Sequence, residues 1–151
     1  MRAAARALVT AAVVVALDQV TKSMVRDRIV PGDHVDVFPG LQLSNVRNTG
    51  VAFGALEGAG LVVAVLIGLS LTLLIAYFAV NREVPLLWLP VGMLVGGAAG
   101  NLVDRAREGA VVDFIDPVRW PAFNLADSCI VVGVLLLLWV VERGARRAES
   151  S

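Results

Sequence analysis

The chain has almost none of the side chains that form disulfides and transition-metal sites. Cys129 is the only cysteine and His34 the only histidine among 151 residues. An intrachain disulfide is therefore impossible. A metal site built from several His or Cys ligands is also excluded, although a site made of carboxylates alone is not.

An excess of basic charge is also missing, because 13 Lys and Arg residues balance 13 Asp and Glu residues. Nucleic-acid binding normally needs a basic face, so we expect no nucleic-acid partner. Apolar side chains are abundant instead: 58% of the residues are hydrophobic, against about 45–50% in soluble domains. The mean hydropathy is +0.78. This composition predicts a single membrane-embedded domain over residues 1–151.

Four segments are long and apolar enough to suggest membrane crossing, which takes roughly 20 mostly apolar residues. They are residues 7–25, 58–80, 85–103 and 123–141, to the nearest few residues. The predicted fold is therefore an all-α integral membrane protein with four transmembrane helices. The first segment is also compatible with a cleavable signal peptide, because it is short and follows two arginines. As a helix, it places Asp18 and Lys22 one turn apart, with Lys22 reaching toward the membrane surface.

The connection over residues 26–57 is long enough to fold. Within it, apolar residues alternate with polar ones on both sides of Pro39-Gly40, from Val35 to Leu43. This pattern predicts a β-hairpin, and hence a small extracytoplasmic sheet lying on the membrane surface. Four spans place both termini on one side, and the basic tail that includes Arg143 and Arg146 favours the cytoplasm. Residues 26–57 and 104–122 are then extracytoplasmic.

Polar groups are costly in a bilayer, so polar residues in or beside the spans are functional candidates. Their expected depths in the membrane place these residues at the face that carries the hairpin, which indicates a polar pocket. They are Asp18, Lys22, Asn48, Asn101, Asp104, Arg105, Asp113, Asn124 and Asp127. Asn48 and Asp113 are expected in loops beside the spans.

The acids of this pocket fall into two groups. Asp104 is adjacent to Arg105 and Asp18 is one turn from Lys22, so we expect these two acids to be ionised and structural. Asp113 and Asp127 have no basic neighbour in sequence. Two such carboxyls brought together would share one proton. One could then deprotonate a water while the other polarises a scissile carbonyl, as in general acid–base catalysis.

Other interpretations stay open from these patterns alone. Asp127 could simply cap a helix, and Asp113 could be an ordinary loop acid. A proton-coupled transporter would also carry acids in its spans, although usually deeper, and a purely structural membrane protein is the third class.

Weaker candidates have simpler explanations. Ser23 and Lys22 are adjacent on a helix and point to different faces. We expect Cys129 to pack in an apolar run and His34 to lie on the surface. Gly92, Gly96 and Gly100 form a small-xxx-small pattern that is typical of close helix packing.

The chain resembles the lipoprotein signal peptidases, the type II signal peptidases of bacteria. Five segments carry the resemblance, in the family's order and over nearly the whole chain. They are LDQVTK at 17–22, NTGVAFG at 48–54, GGAAGNLVDR at 96–105, VVDF at 111–114 and FNLAD at 123–127. One departure is Val51, where the family usually has Ala; it could narrow the pocket but removes no polar group.

The resemblance implies a role for each matched residue. Asp113 and Asp127 match the catalytic pair. Residues matching those that bind substrate or hold the pair are Asn48, Gly50, Asn101, Arg105 and Asn124, and residues matching structural support are Asp18, Lys22 and Asp104.

It also implies an aspartic endopeptidase of the bacterial inner membrane, with its active site at the outer face. The expected substrate is a prolipoprotein, cleaved just before a cysteine that carries a diacylglyceryl group. Membrane lipids and globomycin-type inhibitors are the other expected partners, and no metal or cofactor is expected.

Overall fold

The computed structural model describes residues 2–50 and 60–149. This part of the chain contains four helices and three strands. The helices are α1 (Arg2–Arg28), α2 (Gly60–Val80), α3 (Trp88–Glu108) and α4 (Leu125–Glu149), and the strands are β1 (His34–Phe38), β2 (Leu41–Asn48) and β3 (Val111–Pro117). The segment preceding α2, which includes Val51, lies outside the described residues.

The strands form one antiparallel sheet in the order β1-β2-β3. Phe38 pairs with Leu41 across the Pro39-Gly40 turn, which confirms the predicted hairpin. All five residues of β1 are exposed, so the alternating apolar residues of this strand do not belong to a buried core.

The third strand was not predicted, and the placement of Asp113 in a loop was wrong. The sequence of β3 does not alternate between apolar and polar residues, because Val111 to Phe114 are all buried. Val112 and Phe114 pack in an apolar cluster with Val25 and Ile29 at the end of α1, so strand β3 is fixed to the helix bundle.

Helix α3 lies between α1 and α4 and contacts both. Its glycines allow this close approach, which confirms the predicted packing role. A Cβ at Gly92 or Gly96 would lie 2.6 to 2.9 Å from atoms of α1. A Cβ at Gly97 would lie 2.6 Å from the carbonyl oxygen of Ala126 on α4. Alanine at these positions would force the helices apart.

Two of the described helices, Arg2–Arg28 and Leu125–Arg146, are long and apolar enough to cross a membrane. In α2 the described apolar stretch is shorter, Val65–Val80. Large apolar side chains such as Leu8, Leu73 and Leu135 are more than half exposed on these three helices. Such surfaces are expected of helices that face lipid.

The helix bounds differ from the predicted spans by several residues. Helix α1 is longer than 7–25 at both ends, α3 begins at Trp88 and continues past residue 103 to Glu108, and α4 begins at Leu125. The differences arise because hydropathy marks apolar stretches, whereas helices continue into polar flanks that have capping or tertiary partners. For α3 the flank beyond the predicted span begins with Asp104, which pairs with Lys22 on α1.

Candidate active site

Lys22 and Asp18 form a buried ion pair on α1. Both side chains are 0% exposed, and Lys22 Nζ lies 2.8 Å from Asp18 Oδ2, which confirms the predicted pairing. The expectation that Lys22 extends to the membrane surface was wrong, because its ammonium group points into the bundle. There it also meets Asp104 Oδ2 at 2.8 Å and Asn101 Oδ1 at 2.9 Å on α3.

The cation that pairs with Asp104 is therefore Lys22, and the predicted pairing with Arg105 was wrong. Adjacent helical residues point in different directions, and Arg105 is exposed whereas Asp104 is buried. Gln19 Nε2 donates a further hydrogen bond to Asp104 Oδ1 at 2.9 Å. Gln19 was not among the candidate residues, although its place between two buried residues of one helix turn could have indicated it.

Asp18 also fixes the start of α4. Its Oδ1 accepts a hydrogen bond from the backbone N–H of Ala126 at 3.0 Å. A Cβ at Gly100 would lie 2.6 Å from Asp18 Oδ2, so the carboxylate fits only because position 100 has no side chain. One buried carboxylate thus connects α1, α3 and α4.

Asn124 and Asp127 form a reciprocal cap at the N-terminus of α4. Asn124 Oδ1 accepts the backbone N–H of Asp127 at 2.9 Å, and Asp127 Oδ2 accepts the backbone N–H of Asn124 at 3.2 Å. This arrangement is a capping box. The capping interpretation of Asp127 is therefore correct, but it leaves the second carboxylate oxygen free for another role. Oδ1 accepts a hydrogen bond from Asn101 Nδ2 at 2.8 Å.

Asp113 lies on β3 with only 2% of its surface exposed. Asn124 Nδ2 donates to its Oδ1 at 2.7 Å, and Asn48 Nδ2 donates to its Oδ2 at 2.9 Å. Burial raises the pKa of Asp113 above its ordinary value; the two amide hydrogen bonds oppose this shift and the nearby negative charge of Asp127 adds to it.

Asn48 is oriented by the turn that follows β2. Its Oδ1 accepts the backbone N–H of Gly50 at 2.8 Å, which leaves Nδ2 directed at Asp113. Gly50 has φ +85°, a conformation that favours glycine. A Cβ there would lie 3.8 Å from Arg105 Nη2, so the exposed guanidinium is beside this turn.

The structure brings together candidates from five elements, α1, β2, α3, β3 and α4. Asn124 Nδ2 also lies 3.1 Å from Asn101 Oδ1, so the two amides connect both acids to Lys22. Arg105 lies at the edge of this group, next to Gly50. The described residues contain no cluster of His, Cys, Asp and Glu suited to a metal ion.

The weaker candidates lie outside this group. Ser23 Oγ is 3.5 Å from Asp27 Oδ2 on an exposed face. His34 is exposed at the start of β1, and Cys129 is half-buried on α4. Asn45 was overlooked: it is buried on β2 and its Nδ2 donates to the carbonyl oxygen of Ile29 at 2.7 Å, which joins the sheet to the end of α1.

Known proteins are similar to this chain in both sequence and fold. The family described as "Signal peptidase (SPase) II" matches residues 10–142. The lipoprotein signal peptidase of Moorella thermoacetica is 42% identical over 134 residues, which cover 87% of this chain and 89% of the relative. The lipoprotein signal peptidase of Syntrophus aciditrophicus is 40% identical over 95% of each chain. A solved bacterial membrane enzyme superposes with a TM-score of 0.77 and 34% identity, covering 89% of this chain and 91% of its own.

Proposed function

Because the chain belongs to the signal peptidase II family, whose members are lipoprotein signal peptidases, we propose that Asp113 and Asp127 are its catalytic pair. The chain is thus an aspartic peptidase of a bacterial membrane that removes signal peptides from prolipoproteins. The residues that carry out this reaction and the orientation in the membrane are proposed from the geometry, and the cleavage position is proposed from the family resemblance.

One observation carries the catalytic assignment: Asn124 contacts both acids. Its side-chain Nδ2 donates to Asp113 and its backbone N–H donates to Asp127. A single residue thus holds two carboxyls from a strand and a helix in one polar group. Asn48, Asn101 and Asn124 support the pair. Arg105 and Gly50 lie at its edge, where they would meet substrate.

The pair can hydrolyse a peptide with one proton between its two carboxyls. The ionised carboxyl takes a proton from water as the water oxygen attacks the scissile carbonyl carbon. The protonated carboxyl donates to the carbonyl oxygen. On collapse of the tetrahedral intermediate, the carboxyl that took the proton from water gives it to the departing nitrogen as the C–N bond breaks, and a hydroxyl proton of the diol returns to the other carboxyl. Each positioned acid or base contributes about 10²–10⁴-fold to the rate.

The four helices would span the membrane, with both termini in the cytoplasm and the sheet outside. The 21 residues of α3 give a length of about 30 Å, which matches the hydrocarbon core. Its charged residues, Asp104 to Glu108, all lie at the end that adjoins the sheet. The polar group would therefore lie at one membrane surface, within reach of a translocated substrate.

A polar group at the membrane surface suits a substrate that is anchored by lipid. A prolipoprotein whose cysteine carries a diacylglyceryl group places the bond before that cysteine at the membrane surface. Its acyl chains can remain among the membrane lipids that surround the exposed faces of α1 and α4. Globomycin-type peptide antibiotics would compete for the same site.

The test is cleavage of a diacylglyceryl-modified prolipoprotein by the purified chain in detergent. Asp113→Asn and Asp127→Asn should each abolish turnover without loss of folding, because each removes one of the two carboxyls that share the proton. Asp116→Asn is the matched control, since it makes the same change on the same strand at a half-buried residue outside the polar group. It should retain activity.

Near-normal turnover in either of the first two variants would refute the catalytic assignment. Normal turnover in both, together with acid-driven substrate flux in vesicles, would favour a transporter instead.

A further inference from the structure

Lys22 forms one contact beyond the two that neutralise its positive charge. Two carboxylates, Asp18 and Asp104, already surround its ammonium group at 2.8 Å each. The third N–H donates to a neutral amide oxygen, Asn101 Oδ1, at 2.9 Å. An ammonium group has three donors and no acceptor, so all three are engaged by three fixed partners.

The contact decides which way the amide of Asn101 points. Amide oxygen and nitrogen have nearly the same shape, and their orientation follows from their partners. Lys22 can only donate, and Asn124 Nδ2 donates to the same oxygen at 3.1 Å. Asn101 Nδ2 is therefore left to donate to Asp127 Oδ1 at 2.8 Å. A flipped amide would place an NH₂ group against an ammonium group.

Asp127 consequently accepts hydrogen bonds on both carboxylate oxygens, from Asn101 Nδ2 and from the backbone N–H of Asn124. It also lies in the first turn of α4, where the helix dipole favours negative charge. All three contacts place a hydrogen-bond donor or the positive end of the helix dipole against this carboxylate.

Asp113 has a different environment. It lies in a strand between the buried side chains of Val112 and Phe114, and its two hydrogen bonds come from the side chains of Asn48 and Asn124. Burial raises its pKa, which agrees with a proton residing there.

We propose that Lys22 is a positioning residue, which orients the Asn101 amide so that Asp127 is the ionised base and Asp113 carries the shared proton. This inference rests on the proposed catalytic pair. Lys22 does not touch the reacting atoms; it acts through Asn101.

Charged groups near Asn101 and Asp127 come from every element packed against them. They are Asp18, Lys22 and Arg26 on α1, Arg47 on β2, Asp104, Arg105 and Glu108 on α3, and Asp113 on β3. Arg26 is 2.9 Å from Glu108 and 3.8 Å from Asp104. Lys22 donates to Asn101, and Asn101 in turn donates to Asp127, so this amide connects the ammonium group to Asp127.

The experiment compares the pH dependence of cleavage for wild type and Lys22→Gln. The acidic limb of the kcat profile reports ionisation of the base within the coupled pair. Without the ammonium group, only Asn124 Nδ2 still donates to the Asn101 oxygen, so the amide is held less firmly and its hydrogen bond to Asp127 weakens. We expect the acidic limb to move to higher pH and kcat to fall roughly tenfold to a hundredfold, as on loss of an orienting partner. KM should change little, because substrate contacts are intact.

Gln19→Ala is the matched control. Gln19 bonds to the carboxylates of Asp18 and Asp104, but not to Asn101. Its removal should lower thermal stability while leaving the acidic limb in place. An unmoved acidic limb in folded Lys22→Gln, even with reduced kcat, would overturn the inference and leave Lys22 a purely structural residue.

A second variant covers the case in which Lys22→Gln does not fold. Asn101→Asp keeps an acceptor for Lys22 but removes the donor to Asp127, so the acidic limb should again move to higher pH. An unmoved limb overturns the inference. Failure of the catalytic assignment is distinguishable, since it would appear as activity in Asp127→Asn.

Discussion

Gly97→Ala should separate α4 from α3 and thereby disable the site. The added Cβ would lie 2.6 Å from the carbonyl oxygen of Ala126 and 2.8 Å from Ile130 Cγ1. Ordinary contact begins at 3.4 Å, so α4 has to move by roughly 1 Å to relieve the overlap. Overpacking of this kind costs about 1–3 kcal/mol.

The same movement acts on the chemistry because the obstructed carbonyl belongs to the residue before Asp127. The hydrogen bond from Asn101 Nδ2 to Asp127 Oδ1 is 2.8 Å long. A displacement of roughly 1 Å would lengthen it beyond the usual range. Misplacement by that distance can reduce the rate on the order of 10²-fold.

The assay measures kcat for the lipidated prolipoprotein in detergent, together with the thermal midpoint of the same preparation. Gly68→Ala is the control, because a Cβ at this α2 position meets no atom within 4 Å. It should match wild type in both measurements. Gly97→Ala with wild-type kcat and an unchanged midpoint would show that the two helices are not in the close contact described.

Three further predictions concern the pair, the sheet and the membrane. Because burial raises the pKa of Asp113 above 3.8, the folded chain binds more protons than the unfolded one just above that pH, and stability falls as pH rises through this window. The thermal midpoint of Asp113→Asn minus that of wild type should therefore increase with pH. A difference that stays constant with pH would contradict the raised pKa of Asp113. Asn45→Ala should lower the free energy of unfolding by about 1–3 kcal/mol, because the buried carbonyl of Ile29 loses its partner; the half-buried Gln42→Ala, which loses only a bond to Asp36 within the hairpin, serves as control, and equal midpoints would count against the link between sheet and α1. In a Cys129→Ala background, an impermeant thiol reagent on intact cells should label Asp36→Cys and spare Ala148→Cys; the reverse result would invert the proposed topology.

Local patterns in the sequence predicted the local features well. The Pro39-Gly40 turn between alternating residues located the hairpin, and the four-residue spacing of Asp18 and Lys22 gave their ion pair. The spacing of three glycines in α3 likewise gave the face that packs closely. Each of these depends on residues within about one turn or one hairpin.

Contacts between segments that are far apart in sequence could not be predicted from such local patterns. The partner of Asp104 is Lys22, on another helix, and sequence adjacency wrongly suggested Arg105. Strand β3 has no periodicity because its first four residues are buried among other elements. The roles of Asn101 and Asn124 followed only from the family resemblance, since an amide reveals nothing of its partners before the fold brings them together.

The link between Asp18 and Ala126 has a consequence for the order of events during biosynthesis. Helix α1 is synthesised before α4 and holds the carboxylate that accepts the backbone N–H of Ala126 at the start of α4, and Asp127 follows directly after Ala126. Until α4 is made and inserted, Asp113 lacks both Asn124 and its partner acid. On the proposed catalytic assignment, a nascent chain does not cleave neighbouring precursors before α4 docks.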